Sequence, residues 1–208
     1  MSKAMPNESV RRMMAGSAIK RCITVKTNTT KSVKINREAV GRVVTYCAII
    51  AVQNIFELGR DGIERLMAEM TRRSEVYTVE ADVFGVPKAR ENLRKRAEEK
   101  MAEPFVMPVE KWPKKDWEKV LMYERRSAGG MVVHFLVEAM DVLGYDREQV
   151  AAAVKETCEN YRQFLGWAKE DGEYVAYVRM GRAFQQSTGV EVAIEDDMKD
   201  QTIFGKKF

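Results

Sequence analysis

The chain has one histidine, three cysteines and no proline beyond position 113 in its 208 residues. Cys22, Cys47 and Cys158 are odd in number, far apart and never in a C-x-x-C pair, which argues against a disulfide framework or a structural zinc. Their apolar neighbours mark them as small core residues. No glycine loop of the phosphate- or dinucleotide-binding type is present, nor a G-x-S-x-G elbow, nor H-E-x-x-H. These gaps move the weight from catalysis towards binding, and neither a cofactor nor a metal is expected. The longest apolar run, "VVTYCAIIAVQNIF" at 43–56, includes Gln53 and Asn54 and falls short of the roughly 20 residues that cross a bilayer. The basic N-terminus leads into no continuous hydrophobic region with a cleavage site, so a cytosolic protein is expected.

What is present is an ordinary globular composition, 45% apolar and 32% charged, long enough to bury a real core. The formal charge of +4 is polarised. Residues 1–37 hold nine Lys or Arg against one Glu, and the rest of the chain is mildly acidic, with a late cluster at Glu195, Asp196, Asp197 and Asp200.

Periodicity predicts a protein of α+β class, predominantly α: two helical hairpins sharing a core, with a small N-terminal basic β-hairpin and a C-terminal strand element. The expected divisions are a basic arm and β-hairpin at 1–37, a first helical unit at 38–102, a Pro-rich connector at 103–117, a second helical unit at 118–172, and C-terminal strands with an acidic tail at 173–208. In the first division, Ile23 and Val25 alternate with Thr24 and Lys26 around the turn formers "TNTTKS", giving a hairpin at about 19–35. The first long helix is apolar on nearly every side and so should be enclosed. The second places Ile63, Leu66, Met67 and Met70 on one stripe and gives way to a short apolar and acidic stretch, "EVYTVEADVFGV". Pro87 then opens a helix whose narrow stripe of Ala89, Leu93, Ala97 and Met101 leaves it largely in water. A helix from about 114 to 127 is followed by Gly129-Gly130 and an apolar run. In the long helix beyond, Val150, Val154, Cys158, Tyr161 and Leu165 share a face. "EYVAYVRM" and "VEVAI" look like strands.

Two stretches share a pattern: "ELGRDGIERLMAEM" at 57–70 and "VLGYDREQVAAAVK" at 142–155. In both, Gly is expected to supply the left-handed end of one helix and Asp the cap of the next. A helix-turn-helix reader also places Gly at its turn. Six residues after Gly85, however, stands Glu91 where an apolar residue should pack inward. After Gly144, Val150 satisfies that position, but the helix is acidic where a phosphate-facing one should be basic.

Three groups of side chains qualify as sites. Lys20, Arg21, Lys26, Lys31 and Lys34 crowd the expected hairpin, either as a nucleic-acid contact or as protection of an exposed edge. Trp112, Lys114, Lys115 and Trp117 mix aromatic rings with cations, suited to stacking bases or anchoring a protein partner, unless the tryptophans simply pin the connector to the core. His134, Glu138 and Asp141, at i, i+4 and i+7 of one helix, are the only arrangement resembling a catalytic or metal site, or else a polar face on an apolar helix.

The run "IIAVQNIFELGRDGIERLMAEM", through Phe56, Gly59, Arg65 and Leu66, resembles a segment of small helical proteins encoded by phages and prophages of Gram-positive bacteria. It covers about a tenth of the chain. The resemblance implies a compact accessory protein that blocks a host nuclease or defence complex, as anti-CRISPR proteins do, and that works in the host cytoplasm. On this reading the chain is a non-enzymatic phage-type binding protein whose partner is a host protein or nucleoprotein. The alternative is a DNA- or RNA-binding accessory protein in replication, recombination or transcription control, using the basic hairpin.

Overall fold

The computed structural model describes residues 37–109 and 113–192, together with two two-residue strands near the C-terminus. The described chain is helical: α1 (Arg37–Phe56), α2 (Arg60–Phe84), α3 (Val86–Lys100), α4 (Asp116–Val142), α5 (Arg147–Glu170) and α6 (Glu173–Thr188). The expected α+β class is therefore wrong. The basic hairpin at 19–35 lies outside the described residues, and "EYVAYVRM" is the start of α6, not a strand. Its Tyr and Val residues are β-formers locally, but Ala176, Tyr177, Met180, Gly181, Phe184 and Thr188 are buried at helical spacing, and that packing decides the conformation. Of "VEVAI", residues 190–192 are not a strand and 193–194 fall outside the described residues. A two-residue antiparallel pair, β1 (Thr202–Ile203) and β2 (Lys206–Lys207), adds no sheet to the core.

The first long helix is buried over much of its length, as its apolar composition predicts. Val40, Val43, Val44, Cys47, Ala48, Ile49, Ala51 and Val52 of α1 are all fully buried. Among the described residues α1 is the one helix whose length and composition would suffice to cross a bilayer, and here 56% of its most apolar stretch is buried inside the protein. Tyr46 packs its ring 4.8 Å from that of Phe184, Arg42 Nη1 donates to the Tyr177 hydroxyl at 2.8 Å, and Asn160 Nδ2 donates to the Cys47 carbonyl at 3.1 Å, which fixes α5 and α6 on α1. α4 runs beside α1 in the same direction: Arg37 meets Glu124 at 3.7 Å near one end, and Phe56 meets Tyr145 at 5.1 Å between centroids at the other. On the far side of α4, α2 and α3 pack against it and against each other.

Three further expectations change. α2 does not stop near residue 74 but continues to Phe84. α3 is less solvated than its charge implied, because Ala89, Leu93 and Ala97 are fully buried between α2 and α4. α4 passes through Gly129-Gly130 without a break. The second Gly is open, whereas a Cβ on Gly129 would sit 2.7 Å from Sδ and Cε of Met107 and push the end of that side chain aside. The connector is thus held by Met101 and Met107, both buried, with Arg147 donating from Nε and Nη2 to the Met101 carbonyl at 3.1 and 2.6 Å. In α5 the buried face is Val150, Ala153, Thr157, Tyr161 and Phe164, turned slightly from the expected one, so that Cys158 is only half-buried.

Candidate functional site

His134, Glu138 and Asp141 do share one face of α4, but α3 lies across it. Arg96 donates from Nε to Glu138 Oε1 at 2.5 Å and from Nη1 to Glu80 Oε1 of α2 at 2.7 Å, while Lys100 Nζ lies 3.3 Å from Asp141 Oδ1. Glu138 is only 8% exposed, so a missing cation there would leave a buried charge. Burial works against the charge on Arg96, and its bonds to Glu138 and then Glu80 outweigh that, raising its pKa. Burial, and after it the nearby Arg94, pulls His134 down to about 4, which keeps its imidazole neutral near pH 7. The trio is therefore a fastening between three helices. Its two carboxylates are engaged with cations, and the described residues contain no group of three or more His, Cys, Asp or Glu that could hold a metal ion.

An open cleft of about 590 Å³ lies between the start of α2 and the residues after α6, lined by Arg60, Glu64, Met67, Gly189, Val190 and Glu191. Its one cation on α2 is bonded to its neighbour, Arg60 Nε to Glu64 Oε1 at 2.8 Å. Its two carboxylates, Glu64 and Glu191, are joined by no Ser, Thr, Cys or His among the lining residues, and the cleft is a surface groove between elements.

The surface offers two better sites, both apolar and exposed. At the tip of the α2–α3 hairpin, Val79, Val83 and Phe84 are 64%, 66% and 61% exposed, and Val76 and Val86 extend the row. Val76, Val79, Val83 and Val86 fall at i, i+3, i+7 and i+10, but Gly85 turns the chain at φ 82° before the last of them. The row thus wraps the tip and faces water. Behind the tip, Arg96 ties α3 to Glu138 of α4 and to Glu80 of α2.

The second site is the N-terminal end of α4. Trp117 and Tyr123 are each 58% exposed, with Val120 exposed between them. Lys115 Nζ lies 5.9 Å from the centre of the Trp117 ring and 3.7 Å from Glu118 Oε1, and Lys114 is exposed beside it. Trp117 does not pin the connector to the core; Trp112, like Lys20, Arg21, Lys26, Lys31 and Lys34, lies outside the described residues. The structure thus keeps Lys114, Lys115 and Trp117 together and adds Val120 and Tyr123, which sequence reasoning missed.

No family model, no curated protein and no solved structure matches the chain. Function must therefore be argued from these surfaces. The hairpin row was legible in principle: apolar residues at 76, 79 and 83 continue a helical period past Met70. The stretch nevertheless looks like a separate apolar and acidic segment, because Glu75, Glu80 and Asp82 stand among the valines and a helix face aimed at solvent carries no core signature.

Proposed function

We propose that the chain is a non-enzymatic binding protein that docks on a host nucleoprotein or nuclease in the host cytoplasm and holds it inactive. The supporting observation is the apolar row at the α2–α3 tip. Exposed aliphatic and aromatic groups gathered on a rigid helical corner are the anchors that protein interfaces bury, and a soluble monomer gains nothing by leaving them in water. The engagement of Glu138 and Asp141 by Arg96 and Lys100 supports binding over catalysis at the one constellation that looked chemical. That the partner belongs to a defence system rests on the resemblance of residues 49–70 to phage helical proteins.

The experiment is capture from a lysate of the host, with and without nuclease, comparing the native chain with a Val83→Asp/Phe84→Asp variant. Both side chains are exposed, so the variant should keep its helical circular dichroism. The expected result is a host protein retained after nuclease by the native chain and lost by the variant. Capture that survives the variant overturns the reading, and capture abolished by nuclease favours the alternative of direct DNA or RNA binding.

A further inference from the structure

We infer that the chain pairs with a second copy of itself in a reciprocal two-fold contact, the α2–α3 tip of each copy lying on the bare N-terminal end of α4 of the other. This goes beyond the host-binding reading and does not rest on it. It sets the second copy and the host partner in competition for the tip.

The register of the helices brings the two patches to one end of the molecule. α3 runs beside α4 in the same direction, with Arg96 2.5 Å from Glu138 and Lys100 3.3 Å from Asp141. α2 runs the opposite way, its Tyr77 ring 5.9 Å from that of Phe135. At the rise of an α-helix, α2 ends and α3 begins roughly level with Ala128, and α4 continues past them for about three turns towards Asp116. Trp117 stands 18 residues before Phe135, and Val120 stands 18 before Glu138. Eighteen residues are five full turns, so these side chains prolong the two faces that α2 and α3 cover further along. There, with Tyr123, they are exposed. Faces shaped for a helical hairpin are thus bare where the chain's own hairpin runs out.

Charge selects the occupant. Residues 74–86 at the tip contain three acids and no base, and Glu75 and Asp82 among them are exposed. Residues 114–123 contain three lysines against two acids. Asp116 and Glu118 engage Lys119 and Lys115, leaving Lys114 without a partner among the described residues. Tip against tip would set acids on acids, and one α4 end against another would set lysines on lysines. The crossed arrangement matches opposite signs, and it obeys the two-fold rule that i contacts j while j contacts i. Area points the same way. At their fractional exposures the apolar side chains of both patches offer roughly 800 Å² per copy, one side of a standard specific interface. Only a crossed contact uses both patches at once.

The test is sedimentation equilibrium of the full chain at about 10–100 µM. The native chain is expected at twice its monomer mass. Val83→Asp/Phe84→Asp and Trp117→Ala/Tyr123→Ala should each weaken dimerisation about tenfold or more. All four side chains are exposed, so both variants should keep their helical circular dichroism. Mixed in equal amounts, the two variants should associate more tightly than either alone, because the mixed pair restores one of the two crossed contacts. Trp117→Ala/Tyr123→Ala should still capture the host partner through its tip, so dimer and host binding can fail separately. The inference is overturned if the native chain is a monomer throughout that range, if either double variant dimerises within about twofold of the native chain, or if the mixture associates no better than its components.

Discussion

At the α4–α5 corner, Gly144 takes φ 87°, the Tyr145 N–H donates back to the Met140 carbonyl at 3.0 Å, and Asp146 caps α5 in a reciprocal pair with Gln149. At the α1–α2 corner the left-handed residue is not the glycine but Glu57, at φ 47°, while Gly59, at φ −66°, is the N-cap of α2 and has no side chain to offer. The two corners share the letters Leu-Gly-x-Asp and touch through Phe56 and Tyr145, yet different residues do the turning. The hairpins they lead into diverge as well. α5 and α6 bury Tyr161, Phe164, Met180 and Phe184 in the core that they share with α1, whereas α2 and α3 combine a thinner apolar contact with the ionic fork at Arg96 and carry exposed valines at their far end. One hairpin closes the core and the other projects a surface from it.

The largest effects should separate the hairpins by mechanism. Phe184→Ala opens a cavity against Tyr46 and should cost about 3–5 kcal/mol in urea unfolding. Arg96→Met should cost about 2–3 kcal/mol, because it strands Glu138. The decisive comparison is Arg96→Met/Glu138→Met, which should recover most of that loss. The fork is imperfect to begin with, since Glu80 Oε2 and Arg96 Nη2 are buried without a hydrogen-bond partner. A double variant as unstable as the single would show that the charges themselves hold α3 in place.

The pH dependence should be felt on the same side of the molecule. His134, beneath α3, is held at about 4 in the folded chain against about 6.5 when unfolded. The unfolded state therefore binds more protons between these values, so stability is fully present above about pH 6.5 and is lost as pH falls towards 4. Roughly 2–3 kcal/mol should disappear by about pH 4.5. In a His134→Leu variant that slope should flatten, and an unchanged slope would assign the loss to carboxylates instead.

Helix positions were legible in the sequence wherever an apolar stripe faced the core, as in α1, the first half of α2, and α5. Legibility failed where tertiary packing outvoted local preference. The Tyr and Val residues of α6 favour a strand in isolation and are helical because Tyr177, Met180 and Phe184 must all reach α1. It failed again where a helix leaves the core, since no inward stripe marks residues 76–84. Of the site residues, Lys114, Lys115 and Trp117 could be found because aromatic and cationic letters stand side by side. The role of His134, Glu138 and Asp141 could not, because what defines it is Arg96 and Lys100, some 40 residues away in sequence.

The smallest effects test the corners themselves. Gly144→Ala forces a side chain into a left-handed backbone and should cost about 1 kcal/mol, while Gly59→Ala, at an ordinary φ, should stay within about 0.5 kcal/mol of the native chain. Asp146→Ala removes a cap bonded to the Gln149 N–H at 2.8 Å and should cost about 1 kcal/mol, against nearly nothing for Asp61→Ala, which stands inside the first turn of α2 and caps nothing. Glu57→Gly should raise stability, by about 0.5 kcal/mol, by relieving a side chain of a conformation it rarely adopts. Chemical denaturation of the five variants reads the whole set. Equal costs at the two glycines would mean that the corners work alike despite their geometry; a cost confined to Gly144 and Asp146, with a gain at Glu57, means that the shared letters mark two separate solutions to turning between helices.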